Sequence, residues 1–315
     1  MQDARERTGR LAAMLVDSRK RTLELVGDVS DEQMIGPQLR IVNPPLWEIG
    51  HLAWFQERWN LRRITDEEFA PSTVLVRGDE FYDSMEVAHD DRWDLPLLSR
   101  GETLSYMQRV LDETLHRLHT EGPNPEADYF ARLAAFHEDM HGEAFTYTRQ
   151  THGLSAPPIS EYEPAILEAQ PRGPLEGDAK VPSGDFMLGA AESMGFVFDN
   201  EKWAHPVRVS AFEISRAPVT NGQFRSFVED GAYRRQELWS EKSRRWLNET
   251  GAEHPVYWLR VGDEWHHRRF DKPGPLDPHA PVIHVRWYEA EWEIAASAEP
   301  ESDATGTTGR KRTYP

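Results

Sequence analysis

Residues 130–145 read FARLAAFHEDMHGEAF, and this stretch decides the fold of the first half of the chain. Its apolar residues recur every three or four positions, which is typical of an amphipathic α-helix with one face turned to a core. His137 and His141 lie four residues apart on that apolar stripe. Because an unpaired polar group costs about 1–3 kcal/mol when it is buried, the two imidazoles need partners. A metal ion held by both histidines would satisfy them.

A third histidine, His51, lies in PPLWEIGHLAWF at residues 44–55. A lone histidine beside tryptophans is commonly a hydrogen-bonded core residue, but across a helical bundle it could meet His137 and His141. Three imidazoles are compatible with zinc and with iron(II), so residue type alone does not select the metal. The HEDMH segment also fits the HExxH pattern of zinc hydrolases, in which Glu138 would be the general base.

The organisation of the chain predicts two domains of different class, which together make an α+β protein. Residues 1–151 carry four long amphipathic segments and are predicted to form a helical bundle, with Asn43 capping the helix that contains His51. Residues 152–182 hold six prolines and are predicted to be a linker. Residues 183–315 contain short alternating runs between loops, which predict a mixture of short strands and helices.

Bulk composition excludes several classes of function. The 315 residues carry a formal net charge of -18, which argues against nucleic acids and anionic membrane surfaces as partners. No stretch approaches the roughly 20 apolar residues that span a bilayer. The chain has no cysteine, so disulfides, thiolate metal ligands and a cysteine nucleophile are excluded. The charged N-terminal segment lacks an apolar signal core, and a cytoplasmic location is predicted.

A polar loop in the second half is a candidate for a second cation. The segment FDNEKWAHPVRV, residues 198–209, supplies oxygen atoms from Asp199, Asn200 and Glu201 just before a predicted strand. Calcium prefers oxygen ligands of this kind, so the C-terminal domain is a candidate calcium site. A hydrogen-bonded cluster that holds the loop together is the alternative reading.

The order of several motifs resembles that of the iron(II)-dependent sulfoxide synthases of ergothioneine biosynthesis, and is nearest the selenoneine synthase branch. The resemblance covers nearly the whole chain. It rests on NPPLWEIGHLAWFQE, YDSMEVAHDDRWDLP, FHEDMHGEAF, VPSGDFMLG, FDNEKWAHPVRV, APVTNGQF and PVIHVRWYEAE. The family has an N-terminal DinB-like four-helix bundle and a C-terminal domain similar to the formylglycine-generating enzyme and to C-type lectins. The resemblance therefore implies the same two-domain architecture for this chain.

The resemblance also implies an activity and a ligand set. His51, His137 and His141 would ligate iron(II), and O2 would be a co-substrate. The reaction would join sulfur or selenium to C2 of the imidazole of hercynine, the trimethylated betaine of histidine. The substrates would be hercynine and a small-molecule chalcogen donor.

Departures from the family pattern bear on the donor. The ergothioneine branch holds the carboxylates of γ-glutamylcysteine with two arginines, and His89 and Arg92 occupy those places here. This weaker cationic clamp suits a less anionic donor, and a selenosugar or thiosugar is predicted; γ-glutamylcysteine or cysteine is the alternative. Tyr82 and Asp83 of the same segment are further candidates for contact with substrate. Met140 stands where the family commonly has a glutamine that contacts the betaine.

Parts of the family pattern are missing. WYEAEWEIAAS joins two segments that the family separates, and RTYP ends the sequence before the segment that carries the catalytic tyrosine. No catalytic residue is therefore assigned, and the sequence is expected to be part of a longer protein. Two further readings stay open, a zinc hydrolase that uses Glu138 and a non-catalytic ligand-binding bundle joined to a lectin-like module.

Overall fold

The structure, a computed structural model, describes residues 2–122, 124–159 and 177–285. The chain divides into two compact units, Met1–Tyr162 and Glu163–Pro315. The segments WYEAEWEIAAS and RTYP lie outside the described residues. No helix in the described part of the chain combines the length and the apolar character needed to cross a membrane.

Helices make up the first unit. In chain order they are α1 (Gln2–Val26), α2 (Asp31–Ile35), α3 (Pro45–Glu57), α4 (Gly78–Tyr82), α5 (Arg100–Thr120) and α6 (Pro125–His152). α1 packs against α5 and α6, and α3 packs against the same two helices from the other side. The four long helices therefore close into a bundle, and the predicted four-helix bundle is confirmed.

Local sequence explains where the two longest core helices after α3 begin and end. Ser99 and Glu102 form a reciprocal capping box at the start of α5. Asn124 accepts hydrogen bonds from the first free amides of α6, and Gly153 ends that helix with a φ of 67°. Asn43 does not cap α3, because Pro44 holds the cap position without a side-chain hydrogen bond. The Asn43 amide donates to a carboxylate oxygen of Glu48 instead.

A close approach between two elements fixes the middle of α3. The ring of Tyr82, at the end of α4, lies directly on the backbone of α3 at Gly50. A Cβ atom at Gly50 would stand 2.3 Å from two Tyr82 ring carbons, so glycine is the residue that this packing admits. The buried side chains around this contact include Trp47, Ile49, Ala53, Tyr106 and Phe145.

Short antiparallel strands and two helices form the described part of the second unit. The strands are β1 (Asp178–Val181), β2 (Gly184–Leu188), β3 (His205–Val209), β4 (Phe212–Ser215), β5 (Trp258–Val261), β6 (Glu264–Arg269) and β7 (Lys272–Pro275). β1 pairs with β4, β2 pairs with β3, and β5, β6 and β7 form a three-stranded sheet in that order. The helices are α7 (Asn221–Glu229) and α8 (Glu241–Thr250).

The core of this unit is aromatic, which explains how long loops pack on short strands. Phe224 and Phe227 of α7 contact Trp239, Tyr233 and Trp258 in one buried cluster. The predicted mixture of strands and helices is therefore confirmed. The linker predicted over 152–182 was drawn too long at both ends. His152 still belongs to α6, and β1 already begins at Asp178.

Candidate metal centre

The bundle brings the three predicted histidines into one cluster. His51 comes from the middle of α3, and His137 and His141 come from one face of α6. Their ligand nitrogen atoms all lie within 4.8 Å of one another. The ring centroids are 5.1 Å apart for His51 and His137 and 4.7 Å apart for His137 and His141. Within the described ranges, this is the only group of three or more such side chains close enough to share one metal ion.

The orientation of the His51 ring is set by its surroundings. Its Nδ1 lies 2.8 Å from the backbone carbonyl oxygen of Tyr82, and a carbonyl only accepts, so Nδ1 carries the proton and donates it. The ring stacks on Trp47 with centroids 4.9 Å apart and on Trp54 with centroids 5.6 Å apart. The second ring nitrogen, Nε2, therefore keeps its lone pair for a ligand.

The two rings on α6 are held in different ways. Nδ1 of His141 lies 3.1 Å from Oε1 of Glu48, which is 1% exposed. The Glu48 carboxylate thus accepts a hydrogen bond from Nδ1–H of His141, which leaves the lone pair of Nε2 to bind a metal. The His137 ring stacks on Phe55 with centroids 3.7 Å apart. Each imidazole is therefore braced by its own neighbour from α3 or α4.

Burial favours the uncharged form of two of the imidazoles, His51 and His137, which suits metal ligation. Removal from water lowers the pKa of His51 to about 3, and the neighbouring His141 adds to this shift. Burial, and then repulsion from His141 and His51, also lowers the pKa of His137 well below its ordinary value. A metal ion needs the neutral form of each imidazole. Three imidazoles whose ring orientations are fixed by their neighbours are a donor set that fits a divalent transition metal.

Glu138 is committed to a structural ion pair. It is 4% exposed, and its two oxygens accept hydrogen bonds from Arg19 of α1 at 2.7 and 3.2 Å. Arg19 also donates to the side chain of Gln56 and to the backbone of Met107. A general base of the HExxH type must reach a substrate water beside the metal. This arrangement directs Glu138 into the bundle core and disfavours the hydrolase reading.

Tyr82 and Asp83, both predicted to contact substrate, are buried in the first unit. Tyr82 is fully buried at 0% exposure, so its ring belongs to the core and its carbonyl orients His51. Asp83 is also buried and accepts a hydrogen bond from the backbone amide of Met85. Contact of these two side chains with a substrate stays a prediction.

His89 and Arg92 hold the segment after α4 against α3. The ring nitrogens of His89 lie 2.9 Å from Oδ1 of Asp90 and 2.8 Å from the carbonyl oxygen of Val42. Arg92 donates to Oδ1 of Asn43 at 2.7 Å, and its guanidinium stacks on Trp47 at 4.0 Å. Burial lowers the pKa of Arg92, and the negative charge of Glu48 opposes that shift. Both predicted donor contacts are thus engaged with the protein itself.

Met140 is the predicted contact that stays accessible. Its side chain is 57% exposed, although it lies on α6 between His137 and His141. An exposed apolar side chain beside three histidines that could hold a metal can serve as one wall of a substrate site.

The polar loop at Asp199 does not form a cation site among the described residues. Oδ1 of Asp199 accepts a hydrogen bond from the Lys202 ammonium at 2.6 Å. The lysine therefore supplies the positive charge that a calcium ion would bring, and the calcium prediction gains no support from this loop.

One residue that sequence reasoning missed completes the surroundings of the cluster. Glu48 lies one helical turn before His51, at i−3, next to Trp47 at i−4. Residues at these spacings share a helix face, so the segment WEIGH already contained the signal.

Comparisons with known proteins agree with this architecture. Residues 14–145 match the DinB superfamily, and residues 163–299 match the sulfatase-modifying factor enzyme 1-like domain. The protein is therefore of the class in which a DinB-like helical domain is followed by a domain like that of the formylglycine-generating enzyme.

Relatives that match nearly the whole chain narrow this class. The chain is 31% identical to a hercynine oxygenase of Mycolicibacterium thermoresistibile, over 97% of this chain and 68% of the relative. It is 30% identical to a hercynine oxygenase of Mycobacterium tuberculosis, over 97% of this chain and 72% of the relative. A formylglycine-generating enzyme of Streptomyces coelicolor is 30% identical over 45% of this chain and 54% of its own length. The chain belongs to the hercynine oxygenase family.

Proposed function

We propose that this protein is an iron(II)- and O2-dependent enzyme that joins C2 of the hercynine imidazole to the sulfur or selenium of a sugar donor. The observation that carries the proposal is the cluster of His51, His137 and His141 in a chain that matches hercynine oxygenases over 97% of its length. O2 is the oxidant, because replacing a C–H bond and a chalcogen–hydrogen bond by one carbon–chalcogen bond releases two electrons and two protons. O2 accepts these and leaves as H2O2, or as H2O when its other oxygen atom is added to the chalcogen as a sulfoxide or selenoxide.

His51 and His141 would hold the metal through Nε2, because their Nδ1 atoms have hydrogen-bond partners, and His137 would be the third ligand. Iron(II) bound there supplies the one-electron chemistry that lets O2 react with closed-shell organic substrates. The protein contributes rigid placement, since Trp47 and Trp54 stack on His51 and Phe55 stacks on His137. The same aromatic rings exclude water from the buried side of the site, which limits loss of reactive species to solvent.

The exposed Met140 favours an aromatic or apolar surface of the substrate next to the ligands. Hercynine presents a flat imidazole ring, and a thioether side chain packs well against such a ring. A methionine cannot donate the hydrogen bond that an amide would, so the betaine group must be held by other residues.

The state of His89 and Arg92 supports a donor with little negative charge. His89 is hydrogen bonded to Asp90 and to the backbone of Val42, and Arg92 is bonded to Asn43 and stacked on Trp47. Binding of two carboxylates would require both side chains to leave these partners. A neutral selenosugar or thiosugar does not impose that cost, whereas γ-glutamylcysteine does.

The test is an aerobic reaction of the iron(II)-loaded protein with hercynine and one donor at a time. The donors are a selenosugar, a thiosugar, γ-glutamylcysteine and cysteine, and mass spectrometry detects a product that contains hercynine joined to the donor. We expect a product with a sugar donor, no product without O2, and none with the His51→Ala variant. His119→Ala is the matched control, because His119 is an exposed histidine near the end of α5 that bonds only to the backbone carbonyl of Leu115 within the described contacts.

Each unexpected result would reject a different part of the proposal. Turnover of γ-glutamylcysteine in preference to every sugar would reject the donor while keeping the chemistry. A product formed equally with and without O2 would reject the oxidative reaction. Absence of any product, with iron bound to all three histidines, would favour the ligand-binding reading.

A further inference from the structure

We propose that Glu48 is a positioning residue for the metal centre, whose carboxylate fixes the ring orientation and the tautomer of His141. The proposal rests on the metal centre of the proposed function. It adds a residue that lies outside the ligand set and that touches neither substrate nor metal.

The placement of Glu48 links the two helices that carry the ligands. Glu48 lies in the first turn of α3, three residues before His51. Its Oε1 lies 3.1 Å from Nδ1 of His141 on α6 and 3.2 Å from the side-chain amide of Asn43. One helix therefore supplies a ligand of its own and also the partner that orients a ligand on the facing helix.

The chemistry of this partner differs from that of the partner of His51. Nδ1 of His51 donates to a neutral backbone carbonyl, whereas Nδ1 of His141 donates to a carboxylate. A carboxylate on the far nitrogen makes an imidazole a stronger donor and prevents the tautomer in which the proton would block the metal. Among the described contacts of the three imidazoles, His141 is the one whose Nδ1 faces a carboxylate.

The buried charge of Glu48 is balanced through a short chain of side chains. Asn43 donates its amide to Glu48 and accepts a hydrogen bond from Arg92 at its oxygen. The Arg92 guanidinium stacks on Trp47, the residue immediately before Glu48. These contacts connect the segment after α4 to the ring of His141, so that a shift of Arg92 on binding of a donor would reach the metal ligand through three hydrogen bonds.

A matched control lies on the same helix. Glu57 is 1% exposed like Glu48 and also accepts two hydrogen bonds, from Ser72 and from Tyr106. Neither partner of Glu57 is a histidine. Comparison of Glu48→Gln with Glu57→Gln therefore separates the orientation of His141 from the general effect of neutralising a buried carboxylate in α3.

The experiment measures binding of cobalt(II) to the metal-free protein by competition with a chromophoric chelator. It is combined with proton NMR of the cobalt-loaded protein, in which the Nδ1 protons of bound imidazoles give strongly shifted exchangeable signals. We expect Glu48→Gln to weaken cobalt binding about 10- to 100-fold and to move or broaden one such signal. Glu57→Gln should bind cobalt within about twofold of the unsubstituted protein, with all these signals unmoved.

Two controls keep the result decisive. Far-UV circular dichroism of each metal-free variant reports folding. Glu48→Asp keeps the carboxylate on a shorter side chain and replaces Glu48→Gln if that variant does not fold. The cobalt affinity of Glu48→Asp should lie between those of the unsubstituted protein and Glu48→Gln. A folded Glu48 variant with unchanged affinity and signals would overturn the positioning role alone. Cobalt binding that is absent, or that is insensitive to His51→Ala, would overturn the metal centre and the positioning role together.

Discussion

Substitution of Gly50 by alanine is the sharpest test of how the fold supports the metal centre. Gly50 precedes His51 on α3, and an added Cβ would stand 2.3 Å from Cε1 and Cζ of Tyr82 and 2.6 Å from its hydroxyl oxygen. Contacts between such atoms are ordinarily 3.4 Å or longer, so the ring would have to retreat by about 1 Å. Tyr82 is fully buried against Tyr106, which leaves no open direction for this movement.

Two opposing effects set the change in the free energy of unfolding for Gly50→Ala. Alanine in a helix is favoured over glycine by roughly 0.5–1 kcal/mol. Overpacking of a dense core costs about 1–3 kcal/mol. We therefore expect Gly50→Ala to lower the free energy of unfolding by about 1–2 kcal/mol. The carbonyl of Tyr82 holds Nδ1 of His51, so metal affinity should fall by about tenfold or more as the ring loosens.

Gly142→Ala is the matched control, because Gly142 follows His141 on α6. Its added Cβ would meet only a Leu25 methyl at 3.5 Å, an ordinary contact. This variant should be more stable than the unsubstituted protein by roughly 0.5–1 kcal/mol. Urea unfolding of both metal-free variants, followed at 222 nm, measures the difference. Equal stability of the two variants would refute the inference that Tyr82 packs directly on α3.

Three further outcomes are expected. His51→Ala and His137→Ala should each abolish tight metal binding, as measured by chelator competition; retention of wild-type affinity by either one would remove that residue from the ligand set. Glu138→Ala should lower the free energy of unfolding by about 3–5 kcal/mol, because Arg19 would remain buried without its main partner. Urea unfolding measures this loss, and a loss below about 1 kcal/mol would contradict the reasoning. The metal-free protein should lose stability as the pH falls from about 6.5 towards 3, because the pKa of His51 is about 3 in the fold and about 6.5 in the unfolded chain. The loss attributable to His51 is about 1.4 kcal/mol per pH unit. Thermal unfolding midpoints that do not change between pH 7 and pH 5 would contradict this prediction.

Local patterns were sufficient for the helical half of the architecture. The three- and four-residue spacing in 130–145 predicts both α6 and the common face of His137 and His141, because helical geometry depends only on neighbouring residues. The change to short alternating runs after the proline-rich segment predicts the second unit for the same reason. The ends of the linker were misjudged, since prolines lie both inside and outside regular elements.

The surroundings of the cluster depend on contacts that no local pattern encodes. The burial of Tyr82 follows from the absence of a side chain at Gly50, which is 32 positions away in the sequence. Glu138 pairs with Arg19 across the bundle, and the HEDMH motif gave no sign of this partner. Asn43 looked like a helix cap and became the partner of Glu48 and Arg92. In each case the deciding partner is far away in the chain and near in space.

The two indole rings that stack on His51 have an optical consequence. Trp47 and Trp54 both absorb and emit in the near ultraviolet, and both stack on a ring that would bind a metal through its far nitrogen. Open-shell ions quench an excited indole at such short range, whereas zinc, with its filled d shell, leaves the emission largely intact. Tryptophan fluorescence, with no added dye, therefore reports whether the centre holds a metal ion and whether that ion has unpaired electrons.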